Sequence, residues 1–77
     1  MRRVIIHHFD EQGRLLGNEE HDSFAIADFV LRAKYELALI YSSEKHATYD
    51  TTDRRTGARG VASVQETIEQ PASEAGK

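Results

Sequence analysis

The stretch Asp22-Ser23-Phe24-Ala25-Ile26-Ala27-Asp28-Phe29-Val30-Leu31-Arg32-Ala33-Lys34-Tyr35-Glu36-Leu37-Ala38-Leu39-Ile40-Tyr41-Ser42 decides the fold. Its opening is a helix start, because Asp22 or Ser23 can accept a hydrogen bond from the free N–H groups of a first turn. Glu19, Glu20 and Asp22 sit where the helix dipole favours negative charge. Ile26, Phe29, Val30, Ala33, Leu37, Ile40 and Tyr41 then recur at the spacing of one helical face. Leu31 and Tyr35 widen that stripe, while Asp28, Arg32 and Glu36 fall mainly on other faces. Phe24, Phe29 and Tyr35 are therefore expected in the core.

The second half of the stretch has a competing period. Tyr35, Leu37, Leu39 and Tyr41 alternate, as a strand requires. No Gly or Pro lies between Asn18 and Gly57 to mark a boundary. The reading adopted is a helix from Ser23 to about Lys34–Leu37 and then a strand to about Ser42; one helix to about Ser43 is the alternative.

Upstream, Arg2 to Phe9 is rich in β-branched and aromatic residues and reads as a strand. Asp10-Glu11-Gln12-Gly13 is a turn with a glycine for positive φ, and Arg14 to Glu19 returns as a second strand. Alternation sets Val4, Ile6 and His8 on one face and Ile5, His7 and Phe9 on the other. Both faces carry apolar residues, so the pattern does not say which is buried.

Downstream, Ser42 to Lys45 is polar and turn-like, and His46 to Thr52 reads as a strand. Asp53-Arg54-Arg55-Thr56-Gly57 is a clear turn, and Ala58 to about Glu66 forms its partner strand. The expected architecture is α+β, a small antiparallel sheet with one amphipathic helix packed on one face. Its order is ββαβββ, or ββαββ if the helix is long. The other sheet face is left open to a partner. Residues 1–68 form the single domain, and 69–77, with no large apolar residue, are expected to be a disordered tail.

With 77 residues, a chain buries only about 60% of the surface it exposes when unfolded. Oligomerisation is one remedy for such a thin core, which leaves a homodimer open. The absence of cysteine removes disulfides and thiolate ligands and favours a reducing, cytoplasmic compartment. The apolar run after Arg3 ends at His7, too short for an export signal. No stretch approaches the ~20 apolar residues of a membrane span.

The formal net charge of −3 argues against a dedicated nucleic-acid binder, which would be clearly basic. Charge is nonetheless uneven. Asp10, Glu11, Glu19, Glu20 and Asp22 make an acidic group, read either as a helix-start set plus a soluble hairpin tip or as a patch for a basic partner surface. Lys45, Arg54, Arg55 and Arg59 make a basic group, read either as solvated turn residues or as a clamp for phosphates or carboxylates.

Four histidines are present. His7 and His8 point to opposite faces of a strand, and no zinc-type spacing occurs, so no metal or other cofactor is expected. Catalysis would have to combine His46, or His7 and His8, with Asp50, and no nucleophile-elbow motif supports it. Thr56-Gly57-Ala58-Arg59-Gly60 does not open a helix and is a poor phosphate cradle.

The reading that follows is a small non-catalytic protein-binding module. Size and charge suit an inhibitor of a larger enzyme or complex, of the type that short phage and mobile-element proteins provide. The alternatives are a nucleic-acid-contacting accessory protein using Arg54, Arg55 and Arg59, and a small enzyme or enzyme subunit using His46.

Overall fold

The computed structural model describes residues 2–68; the tail expected at 69–77 lies outside them. The elements are β1 (Arg2–Asp10), β2 (Leu15–His21), α1 (Phe24–Lys34), β3 (Tyr35–Ser42), β4 (His46–Asp53) and β5 (Arg59–Ile68). The order is ββαβββ, and the strands form one antiparallel sheet in the order β2-β1-β5-β4-β3. The first and last strands therefore pair at its centre.

Two of the three hairpins, β1–β2 and β4–β5, are built by turns of similar chemistry. Asp10 Oδ1 accepts from the backbone N–H groups of Gln12 and Arg14, and Gly13 takes φ 84°. Asp53 Oδ1 accepts from those of Arg55 and Thr56, and Gly57 takes φ 78°. An aspartate that satisfies its own turn and a glycine that tolerates positive φ fix each reversal.

Ser23 caps the helix, its Oγ accepting from the Ile26 N–H at 3.2 Å. Arg32 and Asp28, one turn apart, pair at 2.8 Å. The C-terminus has no loop: Tyr35 is already extended, at φ −133° and ψ 152°, and pairs with Asp53 as the first residue of β3. Arg54 supplies the missing stop signal. Its backbone N–H donates to the Lys34 carbonyl at 3.0 Å, and its Nε donates to the Arg32 carbonyl at 2.9 Å. Those carbonyls are among the last of the helix, which have no partner within it.

The core is Val4 and Ile6 from β1, Ala62 and Val64 from β5, and Ala27 and Leu31 from the helix, all at most 3% exposed. Phe24, Tyr35, Leu37 and Tyr49 pack around it. The register sets Val4, Ile6 and His8 on the helix side and Ile5, His7 and Phe9 on the open side.

The helix rests on a different stripe from the one its sequence suggests. Phe29 is 74% exposed and Ile26 45%; the buried pair is Ala27 and Leu31. At 100° per residue, Phe24, Ala27 and Leu31 make one stripe, and Ile26, Phe29 and Ala33 make another on roughly the opposite side. Both are apolar. The stripe bearing alanine at its centre faces the sheet, and the larger side chains point outward. Phe24 and Tyr35 do join the core; Phe29 does not. Leu37, Ile40 and Tyr41, which extend the stripe in the sequence, belong to β3.

Candidate functional site

One helix covers one side of the five strands, and among the described residues no element covers the other, bare side. Its residues line up in rows through the register. One row runs Asn18, His7, Ser63, Thr48 and Tyr41 from β2 to β3; the next runs Leu15, Phe9, Val61, Asp50 and Ala38. The first is imidazole, hydroxyl and amide, and the second is mainly apolar. On the central strands Phe9, His7, Ser63, Val61 and Thr48 are only half-buried, by their sheet neighbours. Alternation in the sequence had separated Ile5, His7 and Phe9 from the core residues; only the register shows what stands beside them.

His46 lies on this face. Its Nε2 is 2.8 Å from Ser63 Oγ and 3.3 Å from Thr48 Oγ1, and its ring packs edge-on against Tyr41 at 5.7 Å. A histidine beside a serine hydroxyl is the contact a nucleophile and base would make. Asp50, four residues along β4, is about 13 Å away at strand rise. It does not orient the ring, so the His46–Asp50 pairing considered from sequence is not assembled.

The acidic residues are dispersed. Asp10 and Glu11 stand at the β1–β2 tip, and Asp10 is committed to its turn. Glu19 stands opposite Ile6 and Glu20 opposite Ile5, so at strand rise Glu19, Glu20 and Asp22 lie about 13 Å or more from Asp10. Glu20 faces the open side and pairs with Arg3 at 2.8 Å. Glu19 faces the helix side, where His8 Nε2 approaches at 2.7 Å and His21 Nε2 at 3.0 Å. Partial burial works to raise the Glu19 pKa, but the hydrogen bonds and charges of His8 and His21 outweigh it and hold the carboxyl below its usual range. A carboxylate only accepts, so both rings present Nε2–H to it. Asp22 is exposed, immediately before the helix cap.

The basic residues divide too. Lys45 is in the turn at one end of β4, and Arg54 and Arg55 are in the turn at the other. Arg54 holds the helix terminus and stands 3.8 Å from Glu36. Arg55 and Arg59 are exposed beside the hairpin. The carboxyl of Asp53, at the root of that turn, is held low by the N–H groups of Thr56 and Arg55.

No protein-family model, curated protein or solved structure matches the chain. Among the described residues, no group of three or more histidine, aspartate or glutamate side chains is arranged to hold a metal ion, and no helix is long and apolar enough to cross a membrane.

Proposed function

We propose that the chain is a non-catalytic protein-binding module and that the bare face of its sheet is the contact surface. The observation that carries this is the pair of rows across five strands, one hydroxyl and imidazole, one apolar, with no element of the described chain over them. A mixed surface of this kind, with aromatic and aliphatic side chains among hydrogen-bonding groups, has the composition of a protein interface. By register its charged members are Arg3, Glu20, Glu36, Asp50 and Arg59, two cations among three carboxylates, which form no basic stripe of the kind a nucleic acid needs. The cysteine-free composition supports a cytoplasmic setting. The size of the chain suits a stoichiometric inhibitor that blocks a larger enzyme or complex.

The nucleic-acid reading is supported by Arg55 and Arg59 at one end of the molecule. It is weakened because Arg54 is tied to the helix and Lys45 stands at the far end. The catalytic reading has the His46–Ser63 contact in its favour, with no carboxylate against the ring among the described residues.

The test is capture from a native lysate with the tagged chain and with a His7→Glu, Thr48→Glu double variant, each with and without nuclease. A stoichiometric protein that survives nuclease, and is lost in a variant of unchanged unfolding midpoint, supports the sheet face. Capture that the variant leaves intact removes that face from consideration. Capture that disappears with nuclease, and with Arg55→Ala plus Arg59→Ala, moves the function to the basic turn.

A further inference from the structure

The two edges of the sheet are protected very differently. The β2 edge reads Leu-Leu-Gly-Asn-Glu-Glu-His and the β3 edge reads Tyr-Glu-Leu-Ala-Leu-Ile-Tyr-Ser. Charges and a glycine discourage pairing along β2. Along β3 there is one charge, Glu36, and the strand ends on three large exposed residues: Leu39 at 62%, Ile40 at 55% and Tyr41 at 53%. An apolar edge is a template for another strand, and soluble proteins normally blunt it. The bulge between Leu39 and Tyr41 interrupts the edge only after five regular residues.

We propose that β3 pairs antiparallel with β3 of a second copy, about a two-fold axis normal to the sheet and passing between the two Leu37 residues. This surface is separate from the bare face and does not depend on its role. Two observations bear on the occupant and the register, and a third on the strength of the contact.

The first is charge. Centred on Leu37, the pairing sets Glu36 opposite Ala38 and Tyr35 opposite Leu39. Centred one residue earlier, it would set Glu36 against its own copy, and like charges directly opposite destabilise a sheet.

The second is coverage. Leu39 pairs with Tyr49 and so stands on the helix side of the sheet, yet it remains 62% exposed because the helix does not reach that corner. The helix ends at Lys34. Antiparallel pairing brings the last helical turn of the second copy, with Ala33 and the stem of Lys34, beside this uncovered corner. The reverse contact forms by symmetry.

The third is size. Five paired residues span about 17 Å, and a sheet is about 10 Å deep, so the strand edge alone offers about 170 Å² per copy. A stable dimer needs about 800 Å² per copy. The strand therefore fixes register, the Leu39–Tyr41 corners and helix ends supply most of the affinity, and the dimer is weak. Both helices then lie on one side of a ten-stranded sheet, and the two bare faces become continuous.

Sedimentation equilibrium of the full chain over a micromolar concentration series tests this, beside Leu39→Lys, which replaces a side chain the monomer leaves exposed. The expected result is a mass that climbs toward twice that of the chain, with dissociation at least about tenfold easier in Leu39→Lys. A second measurement uses the lack of native cysteine. Residues directly opposite on antiparallel strands are about 4.5–5.5 Å apart at Cα, within disulfide range. Mild oxidation should link Leu37→Cys into a covalent dimer and leave Ser42→Cys, far from its own copy in this register, unlinked. A chain that stays monomeric throughout overturns the proposal. So does a dimer indifferent to Leu39→Lys, or one that links through Ser42→Cys and not Leu37→Cys.

Discussion

Arg54 reaches back across 22 residues of sequence to donate from Nε to the Arg32 carbonyl at 2.9 Å. The turn between β4 and β5 is thereby fastened to the end of the helix. The same residue was an attractive ligand-binding candidate in the sequence, and its contact gives it a structural role.

Arg54→Ala should lower stability by about 1 kcal/mol, the usual net worth of such a bond at a partly exposed site. Arg55→Ala, on the exposed side of the turn, should change it by less than about 0.5 kcal/mol. Urea unfolding of the two variants compares them directly. Equal losses would mean that the Arg54 contact contributes nothing specific, and would leave both arginines as free surface cations.

The inverted helix face gives an equally direct comparison. Leu31 is 1% exposed, and Leu31→Ala should cost about 2–5 kcal/mol through lost burial and the cavity left behind. Phe29→Ala, at a side chain 74% exposed, should stay within about 0.5 kcal/mol of the parent. Thermal unfolding will separate them by many degrees. The opposite ranking would place the helix on its other stripe.

Gly60 faces Asp10 across the central β1–β5 ladder. A Cβ built on it would collide with the Phe9 carbonyl oxygen, a backbone atom that cannot swing aside. Gly60→Ala must separate the two central strands or bend one of them. It should cost about 2 kcal/mol or more, in the range of an overpacked core. A neutral Gly60→Ala would show that the strands do not approach so closely.

Glu19 links stability to pH. Its folded-state pKa lies below the ordinary 4.5, so its contribution is fully present above that value. It is lost as pH falls through the folded-state value, because the unfolded chain takes up the proton first. Glu19 keeps 34% of its side chain exposed, and solvent screening holds the effect below about 1 kcal/mol. The stability difference between the parent and Glu19→Gln should narrow as pH drops below 4.5. A difference that stays flat there would show that His8 and His21 do not hold the ionised carboxylate.

Much of the fold was legible in local chemistry. Asp10 with Gly13 and Asp53 with Gly57 announce two of the three hairpin turns, because each pair carries its own hydrogen bonds and its own positive φ. Ser23 announces the helix start for the same reason. The change from helix to strand was readable only as a change of period near Tyr35, since what stops the helix is Arg54 and the pairing of Tyr35 with Asp53. The candidate sites were less legible. The acidic and basic groups are neighbours in the sequence, but strand rise carries Asp10 away from Glu19 and Lys45 away from Arg54, and the pleat turns Glu19 and Glu20 to opposite sides.

The sequence by itself determined the succession of elements, the turns, the helix cap and the division of β1 into two faces, because each follows from interactions within a few residues. The tertiary structure alone decided which side of β1 is buried, which stripe of the helix meets the sheet and which residues share the bare face. Those choices depend on what lies opposite. Two apolar stripes on one helix are equivalent until a sheet approaches, and Ala27 permits the closer approach that Phe29 would block.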